Sequence, residues 1–434
     1  MADETVAVTL EKPVAGGRSL ARIDGRVVLV SGGIPGERVR IALERSGKGV
    51  AFGTVVEVEG ASPDRIVPDV DPLCGGLAFA HVAYPRQLDL KRAIVEDALG
   101  RIGRLRDLPP IDIVESPTRE WRLRARLHVS GGRVGFYREG THALCDAGPS
   151  GQLAPGLLDL AQDIVGRLRP DVARTVEAIV VTQSVDGAAR AAHLELSRPL
   201  PRHGDVWSAG VQGSDEYTGV SAGLAASRHP VAIAGHPWVR ESMASLGVTA
   251  PDAPALVRHA SAFFQGNRCL LPRLVPHVIG TMRGDARVVD LYAGVGVFGI
   301  SAAAAGTSSV VCVEGDAVAA EDLVVNAAPY GARVRAVRGD VEGFVKQDAA
   351  TLADAHVIVD PPRTGLSRVA SEALASAHPS AVTYVSCDPA TLARDMQALV
   401  ASGLQVTSMT MFDLFPMTAH VETVVSLRRT PSAG

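Results

Sequence analysis

RVVDLYAGVGVFG, residues 287–299, decides the fold. A short apolar strand runs into three glycines, Gly294, Gly296 and Gly299, and the chain beyond reads as helix. Glycine is needed where a backbone turns sharply and a ligand comes close. Working outward, strand-like runs recur as SVVCVE (309–314), VRAVRGD (334–340), HVIVD (356–360) and VTYVSC (382–387), separated by helical stretches. This alternation predicts a parallel sheet covered on both faces. Ligands of such sheets bind at the carboxyl ends of the strands. Glu314, Asp340, Asp360 and Cys387 fall at those ends. Glu314 stands 20 residues after Gly294, where a carboxylate can accept from two ribose hydroxyls. The pair points to an adenosine-containing cofactor, S-adenosylmethionine or NAD, with a tight packing turn as the plain alternative.

Three further features carry chemistry. DPPRTG (360–365) leaves Asp360 at a strand tip before an extended loop, because Pro-Pro removes two backbone donors; a helix cap is the structural alternative. Cys387 precedes DPATLARDMQALVASG, a helix with Pro389 in its first turn and Gly403 at its end. The positive end of a helix lowers a thiol's pKa, so a thiolate is expected there. Cys74, Cys145, Cys269 and Cys312 read as inert buried thiols. FDLFPMTAHVETVVSL (412–427) places Glu422 in an apolar run, flanked by Asp413 and His420. A carboxylate there is costly unless paired or functional, and desolvation would raise its pKa toward that of a useful base. A solvent-facing strand position is the alternative.

Upstream, TVAVTL, RVVLV, RVRIAL and AFGTVVEVE are separated by Gly- and Pro-bearing turns, which predicts a small β-barrel within residues 5–60. Residues 61–80 read as a linker and QLDLKRAIVEDALGRIG (87–103) as a helix. WRLRARLHVSGGRVGFYR reads as a hairpin about a Gly-Gly turn, with Arg122, Arg124 and Arg126 on one strand face. Residues 119–138 hold six Arg against one acid, which is either a solvated edge or a phosphate-contacting strip. Between 151 and about 260 the helix LLDLAQDIVGRL and the strand EAIVVTQ suggest an α+β unit.

The 434 residues suit two to four domains. Apolar residues at 47% and charged residues at 21% exclude a disordered or fibrous chain. The net charge of −4 excludes a globally basic nucleic-acid binder, though not a local basic face. Five cysteines predict no disulfide framework. No apolar run is long enough for a membrane span, MADETVAVTL does not look like a signal peptide, and a reduced cytoplasm is the default compartment.

Together these residues resemble the S-adenosylmethionine-dependent RNA uracil-5-methyltransferases. Residues 5–60, with GGIPGERV, are similar to that family's TRAM domain, an OB-like RNA-binding barrel. SAFFQGN (261–267) resembles its phenylalanine-glutamine-asparagine motif, and DLYAGVGVFG, DPPRTG, YVSCDPATLARD and FDLFPMTAHVE follow in the family's order. The resemblance implies an α/β chain: an OB-like β-barrel over 1–65, a middle α+β domain over 66–260, and a Rossmann-like class I methyltransferase domain over 261–434. It implies S-adenosylmethionine bound by Gln265, Tyr292, Gly294, Gly296, Glu314, Asp340 and Asp360. Cys387 would be the nucleophile and Glu422 the general base. The partner would be RNA, transfer or ribosomal, met by Arg122, Arg124, Arg126 and Arg363, with Arg363 also a candidate donor to a developing oxyanion. No membrane, metal site or obligate protein partner is expected.

Two departures stand out. Many members hold an iron–sulfur cluster on four cysteines; here CGGLAFAH keeps Cys74 but has Leu77 at a ligand position, and Cys145 is out of register, so no cluster is expected. Asp388 follows the nucleophile where the family usually has Asn; it can cap the helix, but its charge opposes thiolate formation. Competing readings are a dehydrogenase, which leaves Cys387 and Glu422 unused, a cytosine-5 RNA methyltransferase, which usually has two active-site cysteines, an amino-group methyltransferase, and a catalytically silent RNA-binding or tRNA-folding protein.

Overall fold

Alternating apolar side chains fold residues 5–60 into a curled six-stranded sheet, with Val8, Leu10, Val28, Val30, Val39 and Ile41 buried inside it. Its spatial order is Thr5–Thr9, Arg38–Ser46, Val50–Gly60, Arg26–Ser31, Arg18–Ile23 and Lys12–Val14. Glu37 of GGIPGERV is fully buried and gripped by both sides of the Arg65 guanidinium, at 2.6 Å each. That bidentate pair ties the barrel to the segment after it. The computed structural model describes residues 5–46, 49–200, 206–208, 217–225, 227, 229–282 and 287–429. Residues 1–4 of the N-terminal run and residues 47–48 of the RSGKG turn lie outside the described residues.

The middle of the chain builds a seven-stranded sheet in the order Leu144–Cys145, Arg133–Tyr137, Arg124–Ser130, Val176–Gln183, Arg190–Leu196, Gly219–Leu224 and Val231–Gly235. The expected hairpin is present: Ser130 pairs with Arg133 across Gly131 and Gly132, both at positive φ. The Leu157–Arg167 helix buries Leu160, Ala161 and Ile164 in the same core as Leu127, Ile179 and Leu194.

The third sheet has eight strands in the order Val334–Arg338, Val310–Glu314, Val288–Leu291, His356–Val359, Ala381–Ser386, Glu422–Arg429, Leu404–Phe412 and Ile111–Val114. The first five are mutually parallel, and Glu422–Arg429 runs antiparallel to both its neighbours. The edge strand Ile111–Val114 comes from the stretch between the barrel and the middle sheet. The Tyr84–Arg101 helix comes from there too. It begins at Tyr84 with Pro85 in its first turn, where a missing N–H costs nothing. Its Val95 and Leu99 share a core with Leu392 and Met396 of the Pro389–Ala401 helix. Among the described residues no helix is long and apolar enough to cross a membrane.

The cysteine reading needs correction. Cys74 and Cys145 form a disulfide across 71 residues, tying the 61–80 stretch to the edge of the middle sheet. Leu77 is buried in the core beside it. Cys269, Cys312 and Cys387 are free. Closing a loop of this length restricts the unfolded chain and is worth about 4 kcal/mol in the chain-entropy account. Urea unfolding with and without reductant should show the oxidised protein the more stable by up to that amount, and Cys74→Ser should abolish the difference.

Candidate active site

The strand–glycine turn sets the frame. Asp290, in the strand Val288–Leu291, is completely buried and accepts from the Gly299 N–H at 2.8 Å, which fixes the turn from inside. Tyr292 has φ of 63°, an uncommon backbone state for a side chain of its size, at the point where the chain leaves the sheet. Gly296 has φ of 96°, and a Cβ there would lie 2.5 Å from Ile300. Gly294, at φ of 57°, differs: a Cβ would meet nothing within 4 Å, so the turn opens onto free space.

The expected cofactor residues gather around that space. Glu314 accepts from the Gly294 N–H at 2.7 Å and the Asp316 N–H at 2.5 Å. Asp340 is exposed and caps the following helix through Gly343 N–H at 2.6 Å; its backbone lies against Gly315. Asp360 is not a helix cap, since Ser367 caps the next helix. Instead Asp360 accepts from the Gln265 amide at 3.4 Å. The DPPRTG loop is held behind it by Arg394, donating to the Thr364 and Leu366 carbonyls, and by Asp395, which accepts from Leu366 N–H and the Tyr384 hydroxyl.

Cys387 lies just past the strand Ala381–Ser386, half-buried, and Glu422 opens the adjacent strand, 2% exposed. One oxygen of Glu422 has no partner. The thiol is not acidified as expected. Burial, then Glu422 and Asp360, push it up to about 11, opposed by Arg363. The helix end behind it is already engaged, because Asp388 accepts from the Ala390 and Thr391 N–H groups. Burial and Asp360 likewise raise Glu422 well above the usual carboxylate range. Burial raises Asp360 to about 7, with Gln265 lowering it and Glu314 raising it. Arg363 is exposed and touches His420 at 3.4 Å.

The basic strip abuts this site. Arg122 lies just before the strand Arg124–Ser130 and not within it as expected; Leu123 N–H donates to the Gly266 carbonyl and Arg268 N–H to the Trp121 carbonyl, so the segment carrying Arg122 is joined to the segment carrying Gln265. Arg122 is half-buried over Phe136, with its centroid distance 5.2 Å, and donates to Gln152. Arg124 donates to the Ser261 carbonyl. Among the described residues neither forms an ion pair, and desolvation pushes both down to about 10. Arg126 is exposed and paired with Glu195 at 2.6 Å, farther from Gln265.

Two residues escaped the sequence reading. Asp290 has one buried oxygen without a partner and is raised to about 8 by burial; the cue that marked Glu422, a carboxylate in an apolar run, marks it equally. Phe263, 65% exposed beside buried Gln265, was hidden in an apolar stretch.

An open glycine turn ringed by desolvated carboxylates suits a ligand that joins an adenosine to positive charge, as S-adenosylmethionine does. The fold and this edge define a class I methyltransferase. The comparisons narrow it. Residues 340–430 match the tRNA (uracil-5-)-methyltransferase family and residues 2–56 the TRAM domain. The 23S rRNA (uracil(1939)-C(5))-methyltransferase RlmD of Halomonas elongata is 31% identical, the match covering 96% of this chain and 88% of that protein. An uncharacterised RNA methyltransferase of Thermotoga maritima is 29% identical over 97% of this chain and 98% of its own length. The crystal structure of Pyrococcus abyssi tRNA (uracil-54, C5)-methyltransferase, solved with S-adenosyl-L-homocysteine, superimposes with a TM-score of 0.70 at 21% identity, covering 97% of this chain and 99% of that one. The chain belongs to the S-adenosylmethionine-dependent RNA uracil-5-methyltransferase family.

Asp360 generates a pH prediction. Below about 7 it is protonated and neutral; above, its charge favours a cationic ligand. S-adenosylmethionine affinity should therefore fall as pH drops through neutrality, by about tenfold for each unit by which binding shifts the group. Calorimetry on either side of neutrality checks this, and Asp360→Asn should flatten the profile.

Proposed function

We propose that the chain methylates carbon 5 of a uridine in large-subunit ribosomal RNA, with Cys387 as covalent nucleophile and Glu422 as the base. The observation that carries this reading is the meeting of Cys387, Glu422, Asp360 and Arg363 at one edge of the sheet, each within electrostatic reach of the thiol. Gln265, Tyr292, Gly294, Gly296, Glu314, Asp340 and Asp360 are the residues that would hold S-adenosylmethionine, and Asp290 supports the turn beneath it. Large-subunit RNA is favoured over transfer RNA because the named relatives at 31% identity act on 23S rRNA.

Carbon 5 of uracil is too weak a nucleophile to be methylated directly. Addition of the Cys387 sulfur at carbon 6 forms a C–S bond and moves the ring's π electrons toward oxygen 4, leaving carbon 5 enolate-like. S-adenosylmethionine supplies the methyl group, carried on positively charged sulfur. Glu422 then takes the proton from carbon 5, the ring double bond re-forms, and the C–S electrons return to Cys387. The raised pKa of Glu422 makes its ionised form a strong proton acceptor, and Arg363 is the neighbouring charge that favours both that ionised form and the thiolate. Arg363 is also suited to the oxyanion at oxygen 4.

The RNA reaches this edge over the basic strip. Among the described residues Arg122 and Arg124 form no ion pair, although the Glu195 charge acts on Arg124, and a phosphate could supply a direct counter-charge. Beyond them, Arg126 leads to His128 and Tyr137, whose rings stack with centroids 3.5 Å apart. The target uridine must leave its stack to reach Cys387.

Labelled S-adenosylmethionine with unmodified ribosomal and transfer RNA should yield 5-methyluridine in the ribosomal RNA by nucleoside mass spectrometry. Cys387→Ala should abolish it, and should also abolish the covalent adduct with 5-fluorouridine RNA. An adduct that survives in Cys387→Ala would refute the nucleophile assignment. Separately, Arg122→Ala and Arg124→Ala should each reduce the salt dependence of RNA binding by about one contact. Arg126→Ala, already neutralised by Glu195, should do less.

A further inference from the structure

Among the described residues, two fully buried charge pairs stand outside the reaction, Arg258–Glu241 and Lys91–Asp413, and the second lies next to Glu422's connection. Lys91 of the Tyr84–Arg101 helix and Asp413 are both fully buried, and their Nζ and Oδ1 lie 2.5 Å apart. The second oxygen of Asp413 accepts from the Tyr84 hydroxyl at 2.8 Å, and that hydroxyl accepts from Ser116 N–H at 2.9 Å. Lys91 also donates to the Phe415 carbonyl at 2.9 Å. One turn away, Gln87 accepts from Met417 N–H and donates to its sulfur. From the other side, Asn267 of the SAFFQGN motif donates to Ser116 Oγ and to the Leu414 carbonyl.

Most of these bonds hold one stretch of chain, and the two to Ser116 tie its holders to each other. Phe412 and Glu422 are cross-strand partners, so residues 413–421 form the connection between their strands. Glu422 has an oxygen with no hydrogen-bond partner, so its aim is set largely by its backbone. Lys91, Tyr84, Gln87 and Asn267 fix the first half of that connection against the helix and the cofactor motif. His420, which meets Arg363, lies in the second half.

We propose that the Lys91–Asp413 pair is a positioning device for Glu422, needed for removal of the carbon 5 proton rather than for the addition that precedes it. This rests on the reading of Glu422 as the base. A pair serving only stability would slow all steps together when broken, through loss of folded protein. A pair that aims the base leaves Cys387 attack intact and stalls the enzyme with RNA still attached.

Lys91→Met strands the buried Asp413 charge and destabilises the fold, so the double variant K91M/D413N, with neither charge, is the main test; thermal melting confirms that it is folded. Wild type, the double variant and Glu422→Gln are each mixed with S-adenosylmethionine and uridine-containing or 5-fluorouridine-containing RNA. The double variant should trap 5-fluorouridine RNA at the wild-type rate. Its turnover on uridine RNA should fall roughly a hundredfold, the scale expected of about 1 Å of misplacement, and covalent protein–RNA complex should accumulate on ordinary RNA, as for Glu422→Gln. Equal losses of trapping and turnover, or unchanged turnover, overturn the proposal. If Glu422→Gln itself accumulates no complex while still trapping 5-fluorouridine RNA, the base assignment falls, and the positioning proposal falls with it for that separate reason.

Discussion

Several carboxylates are forced together at the carboxyl edge of one sheet: Asp290, Glu314, Asp360 and Glu422. Each alone would be an ordinary acid. Burial first, and then the neighbouring negative charges, raise Asp290, Asp360, Glu422 and the Cys387 thiol. Such an edge is costly for a fold to keep unless a cationic ligand uses it. Much of the surrounding structure restrains it. Glycine N–H groups bind Asp290 and Glu314, Gln265 reaches Asp360, and Arg394 with Asp395 sets the proline loop.

Burial and the same crowding explain why the Cys387 thiol is raised rather than acidified. A cysteine at a helix start is favoured as thiolate only if the helix end is available to it. Here Asp388 takes those N–H groups, and two nearby carboxylates oppose a further negative charge. If Cys387 acts as proposed, its activation would depend on positive charge brought near it.

The legible features were local ones. Strand-to-glycine spacing in residues 287–299 and the apolar run around Glu422 are read over a few neighbouring residues, and the structure brings both to strands of one sheet. What stayed hidden depends on distant partners. Four residues, Ile111–Val114, join a sheet whose other strands begin at Val288, and no pattern that short names its neighbour. Cys74 and Cys145 looked inert because 71 residues separate them. The upward shift of Cys387 was hidden because its burial, and the Glu422 and Asp360 charges brought from other strands, are set by distant parts of the chain. Lys91 looked like any helix lysine until Asp413, more than three hundred residues on, was packed against it.

The seam between Leu123 and Gly266 bears on mechanical tolerance. The segment leading into the strand Arg124–Ser130 and the segment carrying Gln265 share peptide hydrogen bonds; in the proposed roles the first meets RNA and the second the methyl donor. Under those roles the two substrates would be gauged from one shared reference, and errors in their relative placement would not accumulate along a free stretch of chain. For a reaction whose rate depends on close approach of two bound molecules, that shared reference would leave the extruded base as the principal moving part.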